Sequence, residues 1–209
     1  MSNSEKNLIF KSLFYPILFV VLIWAIHLIS YTTNSSFVSY GILPRRLSGL
    51  IGVITAPLIH GDFKHLFNNS VPLLILGAAL FYFYKEIALK VSVWLYLMVG
   101  IWMWVSAREA YHIGASGVLY GLFSFLLVSG FLRRNMELIS LSFVVTFIYG
   151  SLVWGIFPID MKVSFEGHFW GFVAGIILAF YYKNPEKIWG RHGTSYSKST
   201  IQRDNQRIN

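Results

Sequence analysis

Six apolar runs, at residues 13 to 31, 66 to 84, 91 to 107, 113 to 132, 138 to 159 and 165 to 182, dominate this 209-residue chain. Each is close to the roughly 20 residues that a helix needs to cross the hydrocarbon core of a bilayer. Inside hydrocarbon there is no water to satisfy backbone N–H and C=O groups, so a crossing segment has to bond them internally as a helix. The runs therefore predict an all-α, polytopic membrane protein with six transmembrane helices. Composition agrees, with 56% hydrophobic and only 12% charged residues, outside the range of a soluble domain. The run from 91 to 107 leaves two readings open, because Trp102, Trp104 and Ser106 also suit an interfacial turn.

The formal charge of +8 is spread between the apolar runs instead of forming one basic face, which argues against a nucleic-acid partner. Membrane topology accounts for it. With six spans and an internal N-terminus, Lys6, Lys11, Lys85, Lys90, Arg133, Arg134, Lys183, Lys187, Arg191, Lys198, Arg203 and Arg207 lie inside. Arg45, Arg46, Lys64, Arg108 and Lys162 lie outside. This asymmetry predicts both termini in the cytoplasm, in a cell (plasma or inner) membrane, although half of the internal charge comes from the tail. The chain has no cysteine, so thiolate and disulfide chemistry are excluded. The first run lacks a small-residue cleavage pattern and is read as a retained helix.

Three regions follow: a polar lead at 1 to 11, a membrane domain at 12 to 183, and a basic tail at 184 to 209 whose composition predicts disorder. The connection at 32 to 64 is apolar but broken by Gly41, Pro44, Gly49, Gly52 and Pro57, so short pieces partly embedded in the outer leaflet are expected. The other connections are short, which predicts antiparallel packing of successive helices.

Polar residues within these spans are costly and tend to be functional. Measuring from Tyr84, Leu132 and Tyr182, each beside a basic residue, a rise of 1.5 Å per residue puts Asn69, Ser116 and His168 at roughly 22, 24 and 21 Å. His65 lies one turn higher, at roughly 28 Å. Three polar groups on three spans thus share one layer. Gly167, Gly171 and Gly175 recur every four residues, and Gly114, Gly117 and Gly121 supply small positions on the Ser116 span. Small residues at that spacing let two helix backbones approach closely, which would bring His168 towards Ser116.

A serine hydroxyl needs a base to act as a nucleophile at neutral pH, and histidine is the commonest. Ser116 and His168 form the candidate pair. Glu109, Asp160 and Glu166 lie near the outer ends of the spans, so no carboxylate completes a triad. His65, Asn69 and the Ser116 N–H could donate to an oxyanion. Each residue also has an ordinary reading: Ser116 could return its hydroxyl to a backbone carbonyl, and Asn69 could simply join helices. His60 and His65 stand five apart, about 140° around a helix, and lack the glutamate of a zinc peptidase motif, so metal is set aside. His27 and His112 are placed near interfaces without a defined partner.

His60-x4-His65-x3-Asn69, Gly114-Ala115-Ser116-Gly117 and Gly167-His168-x2-Gly171-x3-Gly175, taken together and in this order, resemble the rhomboid family of intramembrane serine proteases. The resemblance implies a minimal six-helix rhomboid-like bundle over 12 to 183, with Ser116 as nucleophile and His168 as its base. It implies that His65 and Asn69 stabilise the oxyanion, that Tyr120 packs on the His168 ring, and that His60 is structural. The implied substrates are transmembrane segments of other proteins, entering sideways from the lipid bilayer near the fifth span, with no cofactor. Many rhomboids carry a Trp-Arg pair in the first long connection; here Arg45-Arg46 stands without a neighbouring tryptophan. A non-catalytic rhomboid-like client binder and a small transporter are the alternatives. Neither substrate identity nor oligomeric state is legible from these residues.

Overall fold

The computed structural model describes residues 3–159 and 163–184. Its α-helices are α1 (Asn3–Thr32), α2 (Gly52–Thr55), α3 (Phe63–Phe83), α4 (Ala88–Ser106), α5 (Ser116–Arg133), α6 (Met136–Tyr149) and α7 (Phe165–Tyr181), with short 3-10 turns in the connections. No strand forms among the described residues beyond one bridge between Ile42 and His112. Helices α1, α3, α4 and α5, and the stretch Met136–Ile156, are long and apolar enough to cross a bilayer; α7 is a shorter apolar helix of 17 residues. The chain is a polytopic helical membrane bundle. The run whose ends suggested an interfacial turn is continuous helix from Ala88 to Ser106. Most of the tail expected to be disordered, with Lys187, Arg191, His192, Lys198, Arg203 and Arg207, lies outside the described residues, as do Asp160 and Lys162.

Two expectations are corrected. The run from 138 to 159 is not a single helix: α6 ends at Tyr149 and a 3-10 stretch, Gly150–Ile156, follows. Gly150 and Gly155 weaken helix propagation, and Pro158 biases Phe157 to its extended conformation (φ −94°, ψ 151°). Successive helices are also not uniformly neighbours. Helix α1 packs on α3 and α6 on α5, but α3 and α4 scarcely touch, and the main partner of both α4 and α5 is α7. Helix α5 runs through the middle of the bundle and is more buried than α1, α3, α4 or the α6 stretch. Between apolar helices in lipid there is little hydrophobic gain, so close backbone packing decides the neighbours. Between α5 and α7 their glycines provide that packing.

The connection from 32 to 64 is built of short turns, as its glycines and prolines predict, and leaves Leu47, Leu50, Ile51 and Ile54 exposed. Its inner side is fixed to α4. Gly100 leaves room for Val53, whose Cγ1 and carbonyl oxygen would lie 2.9 Å from an added Cβ, and Tyr96 donates its hydroxyl hydrogen bond to the Ile54 carbonyl. The arginine pair serves the same attachment. Arg45 donates to the Ala107 carbonyl at 2.7 Å, Arg46 pairs with Glu109 at 2.7 Å, and Trp104 donates to the Arg46 carbonyl at 2.9 Å. A tryptophan thus does meet the arginine pair, from α4 instead of from the connection itself.

Candidate active site

The N-terminal parts of α3, α5 and α7 carry the polar residues His65, Asn69, Ser116 and His168. Helix α3 starts at its cap, Asp62, whose side chain accepts from the His65 N–H at 2.7 Å. That bond holds the Asp62 carboxyl below the usual carboxylate range. It fixes His65 in the first turn, and Asn69 follows one turn later on the same face. Asn69 is 3% exposed, and its Nδ2 finds no hydrogen-bond partner among the described residues. A buried donor left open in this way asks for a function or a bound molecule.

Helix α5 begins at Ser116, directly after its cap residue Ala115. Gly114 has φ +107°, a conformation that residues with a side chain rarely adopt. A Cβ there would lie 2.7 Å from both Cε1 and Nε2 of His65 and 3.8 Å from Asn69 Nδ2. The missing side chain is what lets the α3 polar groups approach the start of α5. Ser116 also offers a backbone N–H at the first position of the helix, where N–H groups lack intrahelical acceptors.

The glycine seam brings α7 against α5. A Cβ on Gly117 would lie 3.1 Å from the Gly167 carbonyl oxygen, and one on Gly121 3.2 Å from that of Gly171. Cβ atoms on Gly171 and Gly175 would overlap the carbonyl oxygens of Gly117 and Gly121. The two backbones are in contact, and His168 meets Ser116 with Nε2 and Oγ 2.8 Å apart. The third glycine of the first group, Gly114, is not part of this seam; it makes room for His65.

The other ring nitrogen of His168, Nδ1, lies 2.8 Å from the Gly155 carbonyl oxygen. A carbonyl can only accept, so Nδ1 carries the proton and Nε2 presents its lone pair to the Ser116 hydroxyl. This is the tautomer a general base needs. Tyr120 stacks on the imidazole, with ring centroids 4.1 Å apart and planes within 3°. A side chain at Gly155 would overlap the Tyr120 hydroxyl and come within 3.2 Å of His168 Nδ1. Gly155 was not among the residues predicted from sequence: its contribution is a backbone carbonyl, in a stretch expected to be regular helix. A cavity of about 30 Å³, room for a single water, lies beside Ser116 between His112, Ser164 and Met103.

His60 is 5% exposed and its ring sits edge-on to His65 at 4.9 Å, with neither nitrogen hydrogen-bonded among the described residues. Its carbonyl accepts from His27 Nδ1 at 3.1 Å, so His27 has a defined partner after all. Burial, assisted by the nearby His65, pushes the His60 imidazole down to about 3. The folded value lies below the ordinary 6.5, so the unfolded chain binds more protons between the two. Stability is expected to be full above about pH 6.5 and to fall progressively towards pH 3. Thermal unfolding of wild type and His60→Leu across that range checks it: the variant should lose less stability on acidification.

The Rhomboid domain family matches residues 47–185, the stretch that carries His60, His65, Asn69, Ser116, Tyr120, Gly155 and His168. An uncharacterized protein of Mycobacterium tuberculosis (strain ATCC 25618 / H37Rv) is 36% identical over 184 residues, covering 81% of this chain and 74% of its own length. One from Mycobacterium leprae (strain TN) is 32% identical over 179 residues, covering 81% and 70%. RHOMBOID-like protein 5 of Arabidopsis thaliana is 29% identical over 161 residues, covering 70% and 51%. A family match over more than half the chain, together with a helical bundle that joins the three motifs at one site, gives the assignment: the chain belongs to the rhomboid family.

Proposed function

We propose that this protein is an intramembrane serine endopeptidase that cleaves transmembrane segments of other membrane proteins through an acyl-enzyme on Ser116. The observation that carries the reading is the Ser116 to His168 hydrogen bond, with the second imidazole nitrogen held by Gly155. Ser116 Oγ attacks the scissile carbonyl carbon as His168 Nε2 takes its proton. The Gly155 carbonyl holds the imidazole in register and accepts from the cation that forms. As the tetrahedral intermediate collapses, Nε2 returns the proton to the departing amine. Water then attacks the ester, its proton going to Nε2 and on to Ser116 Oγ, releasing the carboxylic acid product. The oxyanion is bonded by Asn69 Nδ2, by His65 and by the Ser116 N–H, a role supported by the open, buried Asn69 donor and by the gap that Gly114 leaves beside His65.

The substrate class follows from depth. A peptide that reaches this site comes from within the bilayer, and a helix hides its carbonyls in hydrogen bonds, so the substrate segment has to unwind locally. Sideways entry past α6, whose Phe143, Phe147 and Ile148 face outward, matches the family resemblance. The spread of basic residues supports both termini in the cytoplasm and the site towards the outer face, in a protein of the plasma or inner membrane.

The test is covalent. Detergent-solubilised protein treated with a fluorophosphonate and digested is expected to carry the adduct on the Ser116 peptide, with His168→Ala labelled at least about 100-fold more slowly. Labelling of another residue, or equal rates in the two proteins, would refute the assignment.

A further inference from the structure

Four residues ahead of Ser116, His112 ties together three segments that the reaction scheme above leaves out. Its backbone exchanges hydrogen bonds of 2.9 Å with Ile42 in both directions, which anchors it to the long first connection. Its ring spans the gap from the entrance of α5 to the entrance of α7: Nε2 lies 3.0 Å from the Arg108 carbonyl oxygen and Nδ1 lies 2.7 Å from Ser164 Oγ. The carbonyl only accepts, so Nε2 bears the proton and Nδ1 accepts from the Ser164 hydroxyl. Burial keeps this imidazole below the ordinary range, which favours the neutral tautomer at neutral pH.

Ser164 directly precedes α7, and its carbonyl accepts from the N–H groups of Gly167 at 3.1 Å and His168 at 3.3 Å. An unbroken path thus runs from the chain entering at Ser116, through the His112 ring and Ser164, to the backbone of His168. Arg108 crosses the same gap, reaching Glu166 at 3.2 Å and the Val163 carbonyl at 3.0 Å. The glycine seam fixes α5 against α7 on the inner side of the Ser116 and His168 pair; the histidine bridge holds the two helix entrances on the outer side.

We propose that His112 is a positioning residue which, with Ser164, forms a strut setting the separation of Ser116 from His168. The proposal rests on the assignment of those two residues as nucleophile and base. Its physical content is that a misplacement of about 1 Å between reacting groups costs on the order of 100-fold in rate, so a single missing tie has a kinetic consequence out of proportion to its strength.

The full chain in detergent micelles tests it, with His112→Leu, His112→Gln, Ser164→Ala and the His112→Leu/Ser164→Ala double variant. Leucine at 112 and alanine at 164 are each expected to lower kcat towards a transmembrane substrate by about 10- to 100-fold, with KM little changed. The double variant should be no slower than the slower single one, because both changes cut the same tie. Glutamine can accept from Ser164 and donate to the Arg108 carbonyl, so it should restore most of the rate. Additive losses, or a glutamine variant as slow as leucine, would overturn the strut. Nitrogen-15 spectra of the imidazoles give a readout that needs no turnover. In Ser164→Ala the His168 Nε2 resonance should move away from its hydrogen-bonded position; an unchanged resonance overturns the proposal. A wild-type protein that cleaves nothing while His168 still responds to Ser164→Ala counts against the protease reading and for the strut.

Discussion

His168→Ala is expected to lower kcat by at least about 1000-fold while leaving KM within a few-fold. General-base catalysis contributes about 10² to 10⁴ in rate, and residues acting as one unit with a nucleophile lose more when removed. The imidazole is placed to take a proton and not to bind the substrate chain: one nitrogen is on Ser116, the other on Gly155, and the ring face is covered by Tyr120. Its loss therefore falls on the chemical step. Cleavage kinetics at saturating substrate check this, with circular dichroism confirming that the helices remain. A kcat within tenfold of wild type would mean that some other group activates Ser116.

The second large effect concerns packing. Gly171→Val is expected to lower stability by about 1–3 kcal/mol, the usual cost of overpacking, and to abolish activity. Even the first carbon of the new side chain would overlap the Gly117 carbonyl oxygen, which is backbone and has no alternative rotamer. Relief requires α7 to move off α5, and the 2.8 Å bond between Ser116 and His168 depends on that contact. Gly61→Ala supplies the control, because its Cβ would meet nothing nearer than Ile113 Cδ1 at 3.8 Å; its stability should stay within about 0.5 kcal/mol of wild type. Thermal unfolding in one detergent, with cleavage measured on the same samples, separates the two. A fully active and stable Gly171→Val would contradict the seam.

Much of this arrangement is legible in the sequence because its causes are carried by side chains. Apolar length marks the spans, and the four-residue spacing of Gly167, Gly171 and Gly175 marks a seam whose partner glycines, Gly117 and Gly121, are visible on another span. Equal depth then brings Asn69, Ser116 and His168 into one layer, and the fold brings Ser116 and His168 into contact. What escapes is carried by backbone or by the order of packing. The group that orients His168 is the carbonyl of Gly155, which every residue possesses and no motif distinguishes. It can reach the ring because α6 gives way to 3-10 helix after Tyr149, while the hydrophobic pattern continues to 159 and conceals the break. Chain order likewise suggests α3 beside α4, whereas α7 is the main partner of both α4 and α5, in the case of α5 through glycine contact. The partners of His112 were invisible for a related reason: Ser164 is 52 residues away, and one hydroxyl in a polar connection gives no periodic signal.

Cleavage of peptide bonds inside the bilayer is the activity proposed for Ser116. Purified wild-type and Ser116→Ala proteins, each reconstituted in liposomes with a single-span substrate, give its most direct test when products are sized by mass spectrometry. Wild type is predicted to yield two fragments whose new ends lie within or beside the substrate's transmembrane segment, and Ser116→Ala to yield none above background. Equal cleavage by both proteins would contradict the claim.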